Sequence, residues 1–166
     1  MTLEEVNKQI RNCRKCRLVQ NAKHPVPGEG PVKAKLMLVG QNPGANEDKT
    51  GKPFIGRAGK FLNKVLAKNN INREEVFVTN IVKHVSPENR KPLPDEIAAC
   101  APYLEDQIRT IKPKLVVLMG KVAWKAPRVE GVTYVETYHP SAAMRFTKMR
   151  ERFLEDFSTI KKHRIQ

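Results

Sequence analysis

Three apolar runs in this chain of 166 residues each end on a polar residue able to hold a ligand. Leu36-Met37-Leu38-Val39 runs into Gly40-Gln41-Asn42-Pro43-Gly44, Val76-Phe77-Val78-Thr79 runs into Asn80, and the segment from Val132 to Tyr138 runs into His139-Pro140. A strand that closes in a Gly- and Pro-stiffened turn offers backbone N–H groups and one polar side chain at its carboxyl end, where open α/β sheets bind their ligands. Two asparagines and a histidine would converge on one crevice if these strands lie side by side. Singly, each has a plainer reading, since a strand-end Asn is often a turn former and a lone His a packing residue. The ordered set is what points to a site. Three cysteines form a second group: Cys13 and Cys16 in a C-x2-C pair, and Cys100 far along the chain.

The elements that must position these residues alternate. Leu3, Val6, Ile10 and Cys13 at helical spacing predict a helix from residue 3 to about 20, stopped by a loop with Pro25, Pro27, Gly28, Gly30 and Pro31. A strand follows at 35–40, a long glycine-bearing loop, and a helix over 57–69 through Ala58, Phe61, Leu62, Val65 and Leu66. The second strand is 76–79. A Pro-rich loop then leads to a helix opening near Asp95, which Pro102 is expected to kink or restart. Leu115 to Met119 is a fully apolar strand of the parallel-sheet kind, Lys121 to Lys125 a short helix, 132–138 a fourth strand and 149–162 a basic closing helix. The pattern predicts one α/β domain over 1–166, a three-layer α/β/α sandwich on a short four-stranded parallel sheet.

Lys and Arg exceed Asp and Glu by 31 − 17 = 14, the electrostatic footprint of a protein that meets nucleic acid. No apolar run approaches the ~20 residues of a membrane span, and the charged start lacks the apolar core of a signal peptide. A cytoplasmic monomer with no membrane partner is expected. In that compartment thiols stay reduced, so the cysteines favour metal over disulfide.

The strings Gly28-Glu29-Gly30-Pro31, Lys35 to Gly40, Pro43-Gly44 and Glu47 to Lys60 carry a resemblance, as do Val78 to Lys83, Pro87 to Arg90, Leu118-Met119-Gly120 and Tyr138 to Ala142. Together they resemble the uracil-DNA glycosylase superfamily, and most of all its family 4, the iron–sulfur type. The resemblance implies DNA repair: flipping uracil, the deamination product of cytosine, out of DNA and hydrolysing its N-glycosidic bond to leave an abasic site. It implies that Phe54 stacks on the base, that Asn80 reads its N3–H and O4 edge, that the Gly40-Gln41 backbone contacts O2, and that Glu47 belongs to the same substrate site. It also implies that His139 donates to O2 as charge builds on the leaving base. The loop after His139 is the implied wedge into DNA, with Met144, Arg145, Phe146 and Lys148. Phosphate contacts are expected from Arg150 and Arg152 and from Lys161, Lys162 and Arg164.

Two departures stand out. Family 4 members carry Glu and a small residue where this chain has Gln41 and Asn42. Gly-x-Asn-Pro-Gly is instead similar to the mismatch-specific and single-strand-selective branches, where that Asn orients the attacking water. An Asn amide can do this without becoming charged, although Asn before Pro also simply stabilises a turn. The branch likeness implies DNA containing uracil or mismatches as the partner, with thymine or other deaminated bases as further substrates. The family's [4Fe-4S] cluster is held by four cysteines, and here the third position is His84. The implied structural site is Cys13, Cys16, His84 and Cys100 around a [4Fe-4S] cluster, with zinc as the alternative. A weak or inactive metal-containing DNA-binding relative, acting as a repair accessory, is the alternative function.

Overall fold

A computed structural model describes residues 1–160 of the chain. Lys161, Lys162 and Arg164, expected to meet phosphate, lie outside the described residues. Four strands, β1 (Leu36–Gly40), β2 (Val76–Asn80), β3 (Leu115–Met119) and β4 (Thr133–Thr137), form one parallel sheet in the order β2-β1-β3-β4. Every residue of β1, β2 and β3 is buried, as a parallel sheet covered on both faces requires. The register pairs Gly40 with Asn80 and Met119 with Thr137, so the four carboxyl ends finish level with one another.

Alternate strand residues feed two cores. On one face Leu36, Leu38, Val78, Leu115 and Val117 pack against Leu62 and Leu66 of α3 (Arg57–Lys68) and Phe153 and Phe157 of α6 (Thr147–Ser158). On the other, Met37, Val39, Phe77, Val116 and Leu118 meet Leu3 of α1 (Leu3–Arg11) and Cys100, Leu104 and Ile108 of α4 (Pro94–Ile111). Each such side chain contributes about 1.5–3 kcal/mol by leaving water. The three-layer α/β/α sandwich expected from the sequence is therefore the architecture.

Several boundaries differ from the sequence reading. The first helix stops at Arg11, where Asn12 caps it and donates its side-chain amide to the Lys8 carbonyl; a separate 3₁₀ turn at Arg17–Gln20 follows the cysteine pair. A single helix runs from Pro94 to Ile111 through Pro102 rather than restarting there. Proline removes only one hydrogen bond, and buried Cys100, Tyr103 and Leu104 hold the helix on the core either side of it. Two short helices that the sequence pattern does not mark are present, α2 (Ala45–Thr50) and α5 (Pro140–Arg145). Each begins directly after a strand-end turn.

Candidate active site

A cavity of about 560 Å3 opens at the carboxyl ends of the strands, lined by Gln41, Asn42, Glu47, Phe54, Asn80 and His139 among others. Gly40 lies directly behind two of the lining residues, Phe54 and Asn80. A Cβ at this position would overlap both the Phe54 ring edge and Asn80 Oδ1, so the absence of a side chain lets ring and amide meet above the β1–β2 seam. The backbone beyond is fixed by Ile81 N–H donating to Gly40 O (2.9 Å) and Val82 N–H to Gln41 O (3.1 Å). Gln41 Nε2 donates to Asn42 Oδ1 at 3.0 Å, and Asn42 Nδ2 donates to Pro43 O at 3.1 Å. One lone pair of the Asn42 carbonyl oxygen is left for a further donor.

Phe54 is a bulky residue in the left-handed region, with φ 48°. Such a backbone persists only where its surroundings hold it. Arg73 donates to Pro53 O at 2.9 Å, and Glu47 Oε2 accepts from the N–H groups of Ile55 and Gly56, both at 2.9 Å. The Phe54 carbonyl oxygen packs so tightly on Gly59 of α3 that a Cβ there would overlap it. Glu47 Oε1 accepts from Gly44 N–H at 2.9 Å, so this carboxylate ties the first-strand turn to the Phe54 loop through three backbone donors. The result is a ring fixed in the cavity wall, its centroid 5.9 Å from that of His139.

His139 comes from β4, two strands away from β1, and reaches the cavity as the N-cap of α5. Its Nδ1 accepts from Ser141 N–H at 3.0 Å. That bond places the remaining proton on Nε2, and burial pulls the imidazole down to a pKa of about 4. A neutral ring with one N–H to give is the outcome. Asn80 is 2% exposed, and among the described residues its Oδ1 has no hydrogen-bond partner. A buried acceptor left unpaired costs roughly 1–3 kcal/mol until something donates to it.

Asn46, Arg57 and Asn89 also line the cavity, and none of them is among the site residues expected from the sequence. Asn89 borders the cavity with φ 56°, following Glu88 at φ 54°. The loop is anchored by Arg90, whose guanidinium makes bonds of 2.8 and 2.9 Å to Glu96, a carboxylate that is fully buried and held at a pKa of about 2, chiefly by Arg90. The Pro-Glu-Asn turn was its only local signal.

The cysteines meet in another corner, between the end of α1, the following turn and α4. Cys100 and Cys16 are both raised by burial, and Cys100 is raised further by the charges of Cys16 and Cys13. The nearby Lys83 backbone and the Lys83 charge pull the Cys100 thiol the other way. Three soft donors in one corner fit a thiolate-held group in kind. Among the described residues no three His, Cys, Asp or Glu side chains close to metal-ligating geometry, and buried His84 feels the charge of Asp48 rather than of a thiol.

On the far side of His139, Met144 and Arg145 end α5, Phe146 is 48% exposed with the Arg145 guanidinium 5.3 Å over its ring, and Lys148 is exposed in α6. Arg150 and Arg152 are engaged internally: Arg150 donates to the carbonyls of Ala143 and Met144, and Arg152 pairs with Asp156. Arg150 thereby fixes the α5–α6 corner that presents Phe146.

A sequence model described as the uracil DNA glycosylase superfamily matches residues 27–159, which spans every element of this cavity. The chain belongs to that superfamily. Within it, the chain is 40% identical to a type-4 uracil-DNA glycosylase of Sulfurisphaera tokodaii, over 96% of this chain and 84% of that one. It is 36% identical to a type-4 uracil-DNA glycosylase of Thermotoga maritima over 96% and 93%, and 29% identical to a type-5 uracil-DNA glycosylase of Pyrobaculum aerophilum over 70% and 66%. Among the described residues no helix is long and apolar enough to cross a membrane.

Proposed function

We propose that this protein is a monofunctional uracil-DNA glycosylase that flips uracil out of DNA and hydrolyses its N-glycosidic bond, acting as a monomer. The observation that carries this reading is the buried Asn80 Oδ1, unpaired among the described residues, in the cavity wall. Uracil carries a hydrogen on N3 and can satisfy that acceptor. Cytosine has a bare N3 and would leave two acceptors facing each other, and rejection by unpaired buried groups is the strong form of selectivity. Phe54 supplies the stacking face. As the C1′–N1 bond lengthens, negative charge spreads onto the base, and His139 Nε2–H donates to O2 where that charge appears. The nucleophile is water, held through the free lone pair of Asn42 Oδ1 and directed at C1′. Phe146 and Met144 are the wedge that fills the space left by the flipped base, with Arg145 and Lys148 on phosphate.

Base release from matched oligonucleotides carrying U·A, U·G, T·G or single-stranded U, read after alkaline cleavage, tests this. All three uracil substrates are expected to be cut by wild type, and Asn42→Ala is expected to lose roughly 100-fold in rate. Cleavage of T·G as well would make this a mismatch enzyme on the same frame. Intact DNA binding with no release of any base would replace the reading with a DNA-binding accessory.

Cys13, Cys16 and Cys100, completed by His84, are proposed to hold a structural [4Fe-4S] cluster that braces α1 against α4, away from the base. Anaerobically purified protein is expected to contain iron and acid-labile sulfide, and His84→Ala to lose both faster in air. Stoichiometric zinc with no sulfide would overturn the cluster and leave a zinc site.

A further inference from the structure

Lys83 is one of the largest fully buried side chains of the molecule, and among the described residues its Nζ meets no carboxylate. Its Nζ instead donates to Thr79 Oγ1 at 2.6 Å, to the main-chain oxygen of Asn80 at 2.7 Å and to Gln107 Oε1 at 2.8 Å. Three acceptors match the three N–H donors of an ammonium. The acceptors are themselves oriented. Thr79 Oγ1 donates to Pro27 O at 2.8 Å, while Gln107 Nε2 donates to Pro27 O at 2.7 Å and to Asn7 Oδ1 at 3.1 Å. The network is closed, reaching from β2 to α4, α1 and the loop before β1.

Nothing in the glycosylase chemistry uses this lysine, yet a buried charge is costly and an aliphatic side chain would fill the same space. Its position suggests what the charge does. Asn80 is the last residue of β2, and the peptide that follows it is held by Ile81 N–H on Gly40 O and, at its carbonyl, by Lys83. The side chain of Asn80 faces the cavity and its carbonyl faces Lys83, so a rotation of that peptide would swing the amide across the base. We propose that Lys83 is a positioning residue for base selection: by gripping the Asn80 carbonyl and the Thr79 hydroxyl against Gln107, it fixes the angle at which the Asn80 amide meets the base. Burial lowers the amine to a pKa of about 7, and the charge of Cys100 opposes that fall. The grip stands on the three bonds, not on titration. The inference rests on the base-release reading above.

The test separates binding of the base from binding of DNA. In Lys83→Met, kcat/KM for uracil release is expected to fall roughly 10- to 100-fold, since small misplacements remote from the chemistry cost that much. Inhibition by free uracil is expected to weaken in parallel, as it does in Asn80→Ala, while affinity for a duplex containing an abasic site stays at the wild-type value. The side-chain amide resonances of Asn80 are expected to shift. Gln107→Met, which removes one acceptor and keeps the lysine, is expected to act in the same direction more weakly and serves if Lys83→Met fails to fold. Wild-type uracil inhibition and unmoved Asn80 resonances in a folded variant would overturn the proposal, as would abasic-site affinity falling in step with activity. If wild type releases no uracil, the functional reading fails, and the Asn80 resonances of Gln107→Met still decide whether Lys83 positions that amide.

Discussion

Replacing His139 with alanine is expected to lower kcat for uracil release by about 10²- to 10³-fold, the loss that follows removal of one donor aimed at charge appearing only in the transition state. Substrate affinity should change far less, because O2 carries little charge before the bond lengthens. The pH profile gives the sharper test. Ser141 N–H donates to Nδ1, and burial holds the imidazole at a pKa of about 4, against an ordinary value near 6.5. Protonation would place a hydrogen on Nδ1 against the Ser141 N–H, forcing the ring out of place. The His139 limb of the kcat profile should therefore stay flat through pH 6.5 and fall only towards pH 4. Stability has a definite sign as well. The folded state keeps His139 neutral where the unfolded chain already takes a proton, so this contribution is fully present above about pH 6.5 and is lost as pH falls through the interval to about 4. Urea midpoints for wild type and His139→Ala should converge on acidification across that window. A kcat limb with an apparent pKa near 6.5 in wild type, absent in the variant, would mean that the ring is solvated and titrates freely.

Much of this site was legible in the chain because its determinants are local. β1 and β2 are apolar runs that lead straight into the cavity-lining Gln41 and Asn80, and Gly40 must be small because Phe54 and Asn80 close on it. The register adds what sequence could not: β1 sits between β2 and β3, so Gly40 and Asn80 are direct neighbours, while His139 arrives from the sheet edge through the turn into α5. Other features were hidden because they depend on contacts distant in sequence. Lys83 reads as a surface lysine until Gln107 and Thr79 are placed around it. Asn89 reads as part of a turn until Arg90 anchors that turn on Glu96. Pro102 reads as a place where the helix restarts because local propensity carries no knowledge of the core that keeps α4 continuous. The fourth metal ligand is the opposite case. His84 occupies the expected sequence position, but in the fold the charge it feels is that of Asp48 rather than of a thiol.

Gly40→Ala should be among the most damaging single-methyl changes in the protein. The new Cβ would lie inside contact distance of the Phe54 ring and of Asn80 Oδ1 at once. Neither can retreat freely. Phe54 is pinned by Arg73, by the Glu47 carboxylate on the next two backbone N–H groups, and by Gly59 beneath its carbonyl. Asn80 is held by its place in the sheet and by Lys83 on its carbonyl. Overpacking of this kind costs about 1–3 kcal/mol of stability. The larger effect falls on function, because the groups displaced are the stacking ring and the reading amide, and kcat/KM is expected to drop at least ~100-fold while the protein still folds. Truncating Phe54 to alanine removes one of the two clashes. Gly40→Ala combined with Phe54→Ala should regain most of the lost stability without regaining activity, a non-additive pair of the kind expected for side chains in contact. Thermal unfolding and single-turnover base release on the four proteins measure both halves of the cycle. Strict additivity in stability would mean that the ring does not press on Gly40, and the packing behind Phe54 and Asn80 would need a different account.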